Sequence, residues 1–255
     1  MTFNDKQQRE IFHFLFLERL LKISDPYLYA LKGGVNLRFF FNSPRYSEDM
    51  DLDIFKVNVT TLKKNGYKIL EDAAFLRTLQ AYGIEGLKIN DPEKAKHTET
   101  TQRFRLKLVT SGGEEFPTRV EFSRRTKKED KQLSSETIPP QVTQPYQRLS
   151  IQCQHYKGKM AAVQKLQALA GRAETQARDV FDLHILYLAG HLDKKQIKDE
   201  TNSKERSDAL SALNSLDYDA YNGQVVEYLE GDAKERFGNK KVWGEMRRQI
   251  EEVLS

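Results

Sequence analysis

The spacing of apolar residues changes along the chain, and each change predicts a different element. From Asp5 to Lys22 apolar side chains recur at helical spacing, which predicts an amphipathic helix capped near Asn4 or Asp5. From Asp49 to Ile54 acidic and apolar residues alternate strictly, which is the period of a half-buried strand. The two patterns place a helix and a strand in the first quarter of the chain.

Further elements follow from the same reading. Helical spacing predicts helices over 35–41 and 60–82, and three strand-like runs follow over 86–89, 103–109 and 118–123. Beyond residue 155 the pattern is helical, with helices predicted over 155–170, 175–189, 203–213, 218–229 and 242–254. This order of elements predicts an α+β domain followed by a helical C-terminal region.

The segment 126–147 is polar and contains three prolines, so we expect a long connection there. The predicted domains are therefore residues 1–147 and 148–255.

Composition narrows the function classes. The 255 residues are 38% apolar and 31% charged, and no apolar run approaches the roughly 20 residues that a membrane-spanning helix needs. The first residues are polar and lack a secretory signal, so we expect a cytoplasmic protein. The single cysteine, Cys153, excludes an internal disulfide, and the five histidines show no metal-ligand spacing.

Charge is unevenly distributed. Residues 1–189 carry 30 Lys and Arg against 23 Asp and Glu, whereas residues 190–255 carry 11 against 14. A basic body is typical of proteins that bind a polyanion such as a nucleotide or a nucleic acid.

Two neighbouring motifs carry the candidate chemistry. Asp49 and Asp51 stand two residues apart on the predicted strand and therefore share a face, and Asp53 continues it. Paired carboxylates repel unless cations neutralise them, and their hard oxygens suit Mg²⁺ or Mn²⁺. Gly33 and Gly34 precede a predicted helix, so their backbone can approach phosphate oxygens. Taken singly, the glycine pair also fits an ordinary turn and the aspartates fit a solvated edge.

Together these motifs resemble a known family. The stretch LKGGVNLRFFFNSPRYSEDMDLDIF is similar to the AbiEii/AbiGii toxins, in which Lys-Gly-Gly, a following Leu-Arg and an Arg-x-Ser-x-Asp-hydrophobic-Asp recur. A second block, QKLQALAGRAETQARDVFDL, follows about 115 residues later in the order that the family shows.

The resemblance implies a polymerase-β-like nucleotidyltransferase core, a mixed sheet with flanking helices. It implies Mg²⁺ or Mn²⁺ held by Asp49 and Asp51, with Glu121 on a neighbouring strand as the third carboxylate. It implies a catalytic role for Lys165 at the triphosphate, with Asp179 orienting the basic residues. The further nucleotide-binding residues that we expect are Lys32, Gly33, Gly34, Arg38, Arg45 and Ser47.

The second block also has a purely structural interpretation. Lys165 and Arg172 share a helix face, and Asp179 or Asp182 in the next helix could pair with them. This arrangement fits either a triphosphate contact or an ion-pair network that joins two helices.

The resemblance implies transfer of a nucleoside monophosphate from a nucleoside triphosphate to RNA, with tRNA as the expected acceptor. The chain would be the toxin of a type IV toxin–antitoxin or abortive-infection pair, with a cognate antitoxin and no membrane among its partners. Cations alternate on one strand and cluster after the next, where they could bind an RNA backbone: Arg103, Arg105 and Lys107, then Arg119, Arg124, Arg125, Lys127, Lys128 and Lys131. Two alternatives stay open: a transferase that modifies a small molecule, and an inactive nucleotide- or RNA-binding module.

Overall fold

A computed structural model describes residues 2–90, 98–125 and 129–255. The chain divides into two compact units. The first unit consists of the residues up to Asn36 together with Tyr46–His155, and the second consists of Leu37–Arg45 together with Tyr156–Ser255.

Most of the first unit is a sheet with helices. Its described helices and strands are α1 Asp5–Ile23, β1 Tyr29–Lys32, α2 Gly33–Phe40, β2 Asp49–Phe55, α3 Val59–Leu70, α4 Ala73–Gln80, β3 Ile84–Ile89, β4 Thr101–Thr110, β5 Glu115–Arg125, β6 Leu133–Thr137, α5 Pro140–Thr143 and β7 Gln152–Tyr156. Helix α2 continues past Asn36 into the second unit.

The seven strands form one mixed sheet in the order β3-β4-β5-β2-β1-β7-β6. Strand β2 lies in the middle, antiparallel to β1 and parallel to β5. Strand β4 runs antiparallel to β5, and β1 runs parallel to β7. The mixed sheet with flanking helices confirms the predicted α+β architecture.

Alternation along β2 and β5 separates two faces of this sheet. On one face, Met50, Leu52, Val120 and Phe122 are fully buried. Helices α1 and α3 pack against the strands of this sheet. We call this the apolar face. The opposite, polar face carries the alternate residues of β2, including Asp49 and Asp51, and of β5. Burial of the apolar face therefore fixes the direction of the acidic side chains.

The second unit is helical after β7. Its helices are α6 Gly158–Gly171, α7 Ala177–Leu188, α8 Lys194–Glu200, α9 Ser203–Ser215, α10 Tyr218–Gln224, α11 Gly231–Phe237 and α12 Lys240–Leu254. Helix α6 packs on α7 and α9, and α12 packs on α7, α8 and α9. The Trp243 ring of α12 stacks on the Tyr221 ring of α10, with 4.6 Å between the ring centroids. Trp243 therefore anchors the last helix by packing.

The structure differs from the sequence prediction at several places. In the second unit, α8 and α11 were not predicted, and the helix predicted over 218–229 ends at Gln224. The helix predicted over 60–82 is two helices, because the Asp72 side chain accepts a hydrogen bond from the Ala74 amide and starts α4. The described part of the expected connection, 129–147, contains β6 and α5. Strand β7 was not predicted, since four of its five residues are buried and it shows no alternation.

Strand β7 also moves the division between the units. It pairs with β1, which places residues 148–155 in the first unit rather than in the helical region expected from residue 148. Among the described residues, no helix has both the length and the apolar character that a membrane crossing requires.

Candidate active site

The candidate active site of the first unit is built on β2. Asp51 stands opposite Glu121 of β5 and opposite Lys32 of β1, and Asp49 stands opposite Arg119. Residues opposed in a sheet share a face, so these five charged side chains lie together on the polar face. The structure thus brings the three predicted metal-binding carboxylates onto adjacent register positions.

Gly33 lies directly against Asp51. Its φ is +68°, in the left-handed region that side chains disfavour, and a β-carbon built there would lie 2.9 Å from Oδ2 of Asp51. Glycine is therefore required at this position for two independent reasons: the left-handed backbone conformation, and the lack of space for a β-carbon beside the Asp51 carboxylate. Helix α2 begins at Gly33, two residues before the predicted start at Val35, so both glycines lie in its first turn rather than before it.

Arginines neutralise two of the three carboxylates. Nη2 of Arg119 lies 2.7 Å from Oδ2 of Asp49, and Nε of Arg103 lies 2.5 Å from Oε2 of Glu121. Both arginines were part of the predicted basic surface, and their pairing with the acids was missed. No local sequence pattern contains this pairing, because it depends on the register between β2 and β5, in which Asp49 stands opposite Arg119.

Asp53 is buried and holds two cations. Its Oδ1 lies 2.6 Å from Nζ of Lys32, and its Oδ2 lies 2.8 Å from Nε of Arg125. Lys32, expected to bind the nucleotide, is thus fixed at the end of β1, immediately before Gly33.

The donor set fits a hard divalent cation. Asp49 and Asp51 present carboxylate oxygens on one face, and Gly33 leaves room at Asp51 that a side chain would fill. In the described ranges no three His, Cys, Asp or Glu side chains are already gathered as a metal cluster. Glu121 would have to turn from Arg103 to become a third ligand.

A hydrogen-bond relay fixes the turn before Asp49. The Thr118 hydroxyl donates to the Glu48 carbonyl at 2.7 Å, and Nε2 of His13 lies 2.8 Å from the same hydroxyl oxygen. Since the hydroxyl has one proton, Nε2 of His13 is the donor to it. Ser47 adds a bond from its hydroxyl to the Asp49 carbonyl at 2.9 Å. Burial, aided by the nearby Arg9 charge, lowers the pKa of His13 to about 3, so its ring is neutral.

A cleft of about 360 Å³ opens beside Asp49 on the side of β5 and β4. Its charged walls come from Arg105, Lys107 and Arg119, together with Glu48 and Asp49. A space of this size accommodates a group of about one nucleotide.

The second unit holds the other predicted block as an ion-pair network. Nζ of Lys165 lies 3.1 Å from Oδ1 of Asp179 and 2.6 Å from Oδ2 of Asp182. Nε of Arg172 lies 2.6 Å from Oδ2 of Asp179, and Nη2 of Arg45 contacts both oxygens of Asp182 at 3.2 and 3.0 Å. The predicted pairing of the lysine and arginine with the two aspartates is confirmed.

Ion pairing outweighs burial for two members of the network, Lys165 and Asp182. Both aspartates are fully buried, and burial alone would raise the pKa of Asp182, but Arg45 and Lys165 outweigh it and lower that pKa. Burial likewise works to lower the pKa of Lys165, whereas the two aspartates raise it above its usual value. The Arg45–Asp182 pair was missed because its members are 137 residues apart.

The remaining predicted residues divide between the units. Gly33, Gly34, Ser47 and the three carboxylates belong to the first unit, and Arg38, Arg45, Lys165 and Asp179 belong to the second. Nη1 of Arg38 donates to the Ser43 carbonyl at 3.2 Å, which closes the loop after α2. Lys127, Lys128 and His97 lie outside the described residues.

Comparison with known proteins gives one family and several similar structures. The model of the family described as "Nucleotidyl transferase AbiEii toxin, Type IV TA system" matches residues 15–253. No curated protein matches the sequence significantly.

Two solved structures illustrate the shared fold. The chain is similar to MenT4, a nucleotidyltransferase toxin from Mycobacterium tuberculosis H37Rv, at 16% identity and a TM-score of 0.57, over 98% of this chain and 92% of that one. It is similar to JHP933 from Helicobacter pylori at 21% identity and a TM-score of 0.52, over 100% and 95% of the two chains. These likenesses support the predicted nucleotidyltransferase fold.

Proposed function

This chain belongs to the AbiEii family of type IV nucleotidyltransferase toxins, and we propose that it uses a divalent metal to transfer a nucleoside monophosphate to RNA, with tRNA as the acceptor. The family implies a nucleoside triphosphate as substrate and an antitoxin as partner. The metal, the acceptor and the residue roles below are our proposal.

One observation carries the proposal. Asp49 and Asp51 share the polar face with Glu121, and Gly33 is placed so that a side chain there would collide with Asp51. A glycine held in a left-handed conformation against a carboxylate is unusual in a merely solvated strand edge. It is expected where a bulky ligand must share the space around that carboxylate.

The reaction forms a bond between an acceptor hydroxyl oxygen and the α-phosphorus and breaks the bond from that phosphorus to the pyrophosphate. A bound Mg²⁺ or Mn²⁺ supplies charge stabilisation at the phosphates and acidifies the attacking hydroxyl. Asp49 and Asp51 would hold it, with Glu121 as the third carboxylate that also favours removal of the hydroxyl proton. The proton passes to solvent, and pyrophosphate leaves.

The nucleotide side of the site is formed by the end of β1 and the start of α2. Backbone amides in the first turn of α2, which begins with Gly33 and Gly34, can donate to phosphate oxygens. Lys32 stands immediately before them and is held by Asp53, so its charge is available near the same phosphates. Ser47 keeps the turn before Asp49 in shape through its bond to the Asp49 carbonyl.

Lys165 and Asp179 belong to the proposal through the family resemblance, with Arg38 and Arg45 as further phosphate candidates. Within the second unit, Lys165 and Arg45 are held by buried aspartates. That pairing supports a role in holding the fold of this unit, and it raises the pKa of Lys165.

RNA is favoured as the acceptor by the cations on β4. Arg103, Arg105 and Lys107 recur at every second residue and therefore lie on one face, beside the carboxylates; Arg103 pairs with Glu121 and Lys107 with Glu115. A small-molecule acceptor would not need such a row.

Label transfer tests the proposed function. The protein is incubated with Mg²⁺, each α-³²P-labelled nucleoside triphosphate in turn, and total tRNA. We expect labelled RNA with the wild type, and none with EDTA or with Asp51→Ala. Intact binding of the triphosphate without transfer to any RNA would contradict the proposal and favour a small-molecule acceptor.

A further inference from the structure

Two arginines face each other across the sheet beside the proposed metal site. Arg105 of β4 stands directly opposite Arg119 of β5, and both lie on the polar face. Like charges at opposed positions of an antiparallel pair are destabilising. Arg105 and Arg119 nevertheless stand opposite each other next to Asp49. Their arrangement indicates that both guanidinium groups bind an anion.

The two arginines are not fully satisfied within the chain. In the ranges that the structure describes, the Arg105 guanidinium has no hydrogen-bond or ion-pair partner, and its side chain is exposed. Arg119 binds Asp49 through Nη2, but its buried Nε makes no hydrogen bond with a described atom and lies 3.9 Å from Glu121. Donors are therefore available on the wall of the cleft that contains both residues.

Strand order separates this cleft from the nucleotide side. Gly33 follows β1, which lies on one side of β2, whereas Arg119 and Arg105 lie on β5 and β4, on the other side. The carboxylates of β2 thus stand between the glycine pair and the arginine pair. In an in-line transfer, the attacking group and the leaving pyrophosphate lie on opposite sides of the reacting phosphorus.

We propose that the cleft beside Asp49 binds a backbone phosphate of the acceptor RNA strand through Arg105 and Arg119. This inference rests on the proposed function and adds the location of its second substrate. Successive same-face residues of β4 are about 7 Å apart, a spacing comparable to that of phosphates along an extended strand, so Lys107, which also lines the cleft, can meet the neighbouring phosphate. The cleft admits about one nucleotide, which fits a strand end that reaches Asp49.

The test compares RNA binding with nucleotide binding. Arg105→Gln and the control Arg77→Gln, an exposed arginine on α4 outside the cleft, are titrated against a fluorescein-labelled single-stranded RNA dodecamer without nucleotide. Affinity for each nucleoside triphosphate is measured separately. Arg105→Gln should weaken RNA binding about tenfold and reduce the salt slope by about one, and it should leave nucleotide affinity and the unfolding midpoint unchanged or higher. Arg77→Gln should behave as the wild type.

Each contrary outcome has a definite meaning. RNA affinity equal to the wild type in Arg105→Gln overturns the inference, and so does an equal loss for nucleotide, which would assign the cleft to the triphosphate. If the wild type transfers label to RNA with an RNA KM that Arg105→Gln does not change, the proposed function stands and this inference fails. If RNA binding depends on Arg105 but no label is transferred, this inference stands and the proposed function fails.

Discussion

The Cα atom of Gly33 lies so close to the Asp51 carboxylate that a β-carbon there would be 2.9 Å from Oδ2. The contact joins the two halves of the motif, the glycine pair after β1 and the acidic strand β2. It explains why a glycine and an aspartate 18 residues apart belong to one motif: the Asp51 carboxylate occupies the space that a side chain at position 33 would need.

Gly33→Ala should therefore abolish transfer while leaving the protein folded. The variant places an alanine at φ +68°, which costs about 1–2 kcal/mol, and in addition pushes Asp51 from its position. Gly113→Ala is the matched control, since Gly113 has φ +80° with no atom within 4 Å of the added carbon. Both should lose stability in urea unfolding because of the backbone conformation, Gly33→Ala somewhat more because of the added collision, but only Gly33→Ala should lose activity. Equal activity in the two variants would contradict the importance of this contact.

The Arg45–Asp182 pair predicts a large loss of stability. Both side chains are buried, so Asp182→Ala leaves Arg45 and Lys165 without their shared anion, and breaking such a pair costs about 3–5 kcal/mol. Replacing both, with Arg45→Met and Asp182→Leu, should cost much less, because no unpaired guanidinium remains. Lys22→Ala, which breaks an exposed pair with Glu18, should cost under about 1 kcal/mol. Urea unfolding of the wild type and these three variants measures the differences. If Asp182→Ala loses no more stability than Lys22→Ala, the buried network does not stabilise the fold in this way.

His13 predicts a specific pH dependence of folding. Its pKa is about 3 in the folded chain and 6.5 when exposed, so between these values the unfolded chain binds a proton that the folded chain does not. The free energy of unfolding therefore rises with pH across this window, by about 1.4 kcal/mol per unit from this group, and falls as the solution is acidified. In His13→Gln, whose amide can still donate to Thr118, this part of the slope should vanish. The measurement is the wild-type minus variant difference at pH 4, 5, 6 and 7, and a constant difference would contradict the assignment.

Local patterns predicted the elements that carry the site. The alternation of Asp49 to Ile54 gave a strand with its acids on one face, as the structure has it. The helix predicted after the glycine pair is also present, although it begins at Gly33 itself. The Val120–Glu121–Phe122 alternation likewise placed Glu121 on the same face as the aspartates. These features depend on neighbouring residues, so a single sequence contains them.

Features that depend on distant pairing were not predictable in the same way. The cation on Asp49 comes from Arg119 through strand register, and the relay to Glu48 comes from His13 on α1. Strand β7 is short, and its sequence is largely polar although four of its five residues are buried, so no local pattern marks it as a strand. In each case the information lies in tertiary packing.

The position of the label in the product tests the central claim most directly. The wild type and Asp51→Asn are incubated with Mg²⁺, tRNA and the same nucleoside triphosphate, labelled with ³²P at either the α or the γ phosphate. The account predicts that the α label enters RNA and the γ label is released as pyrophosphate, and that Asp51→Asn, which unfolds at the same urea concentration as the wild type, transfers neither. Transfer of the γ label to RNA, or an α label that Asp51→Asn transfers as well as the wild type, would contradict it.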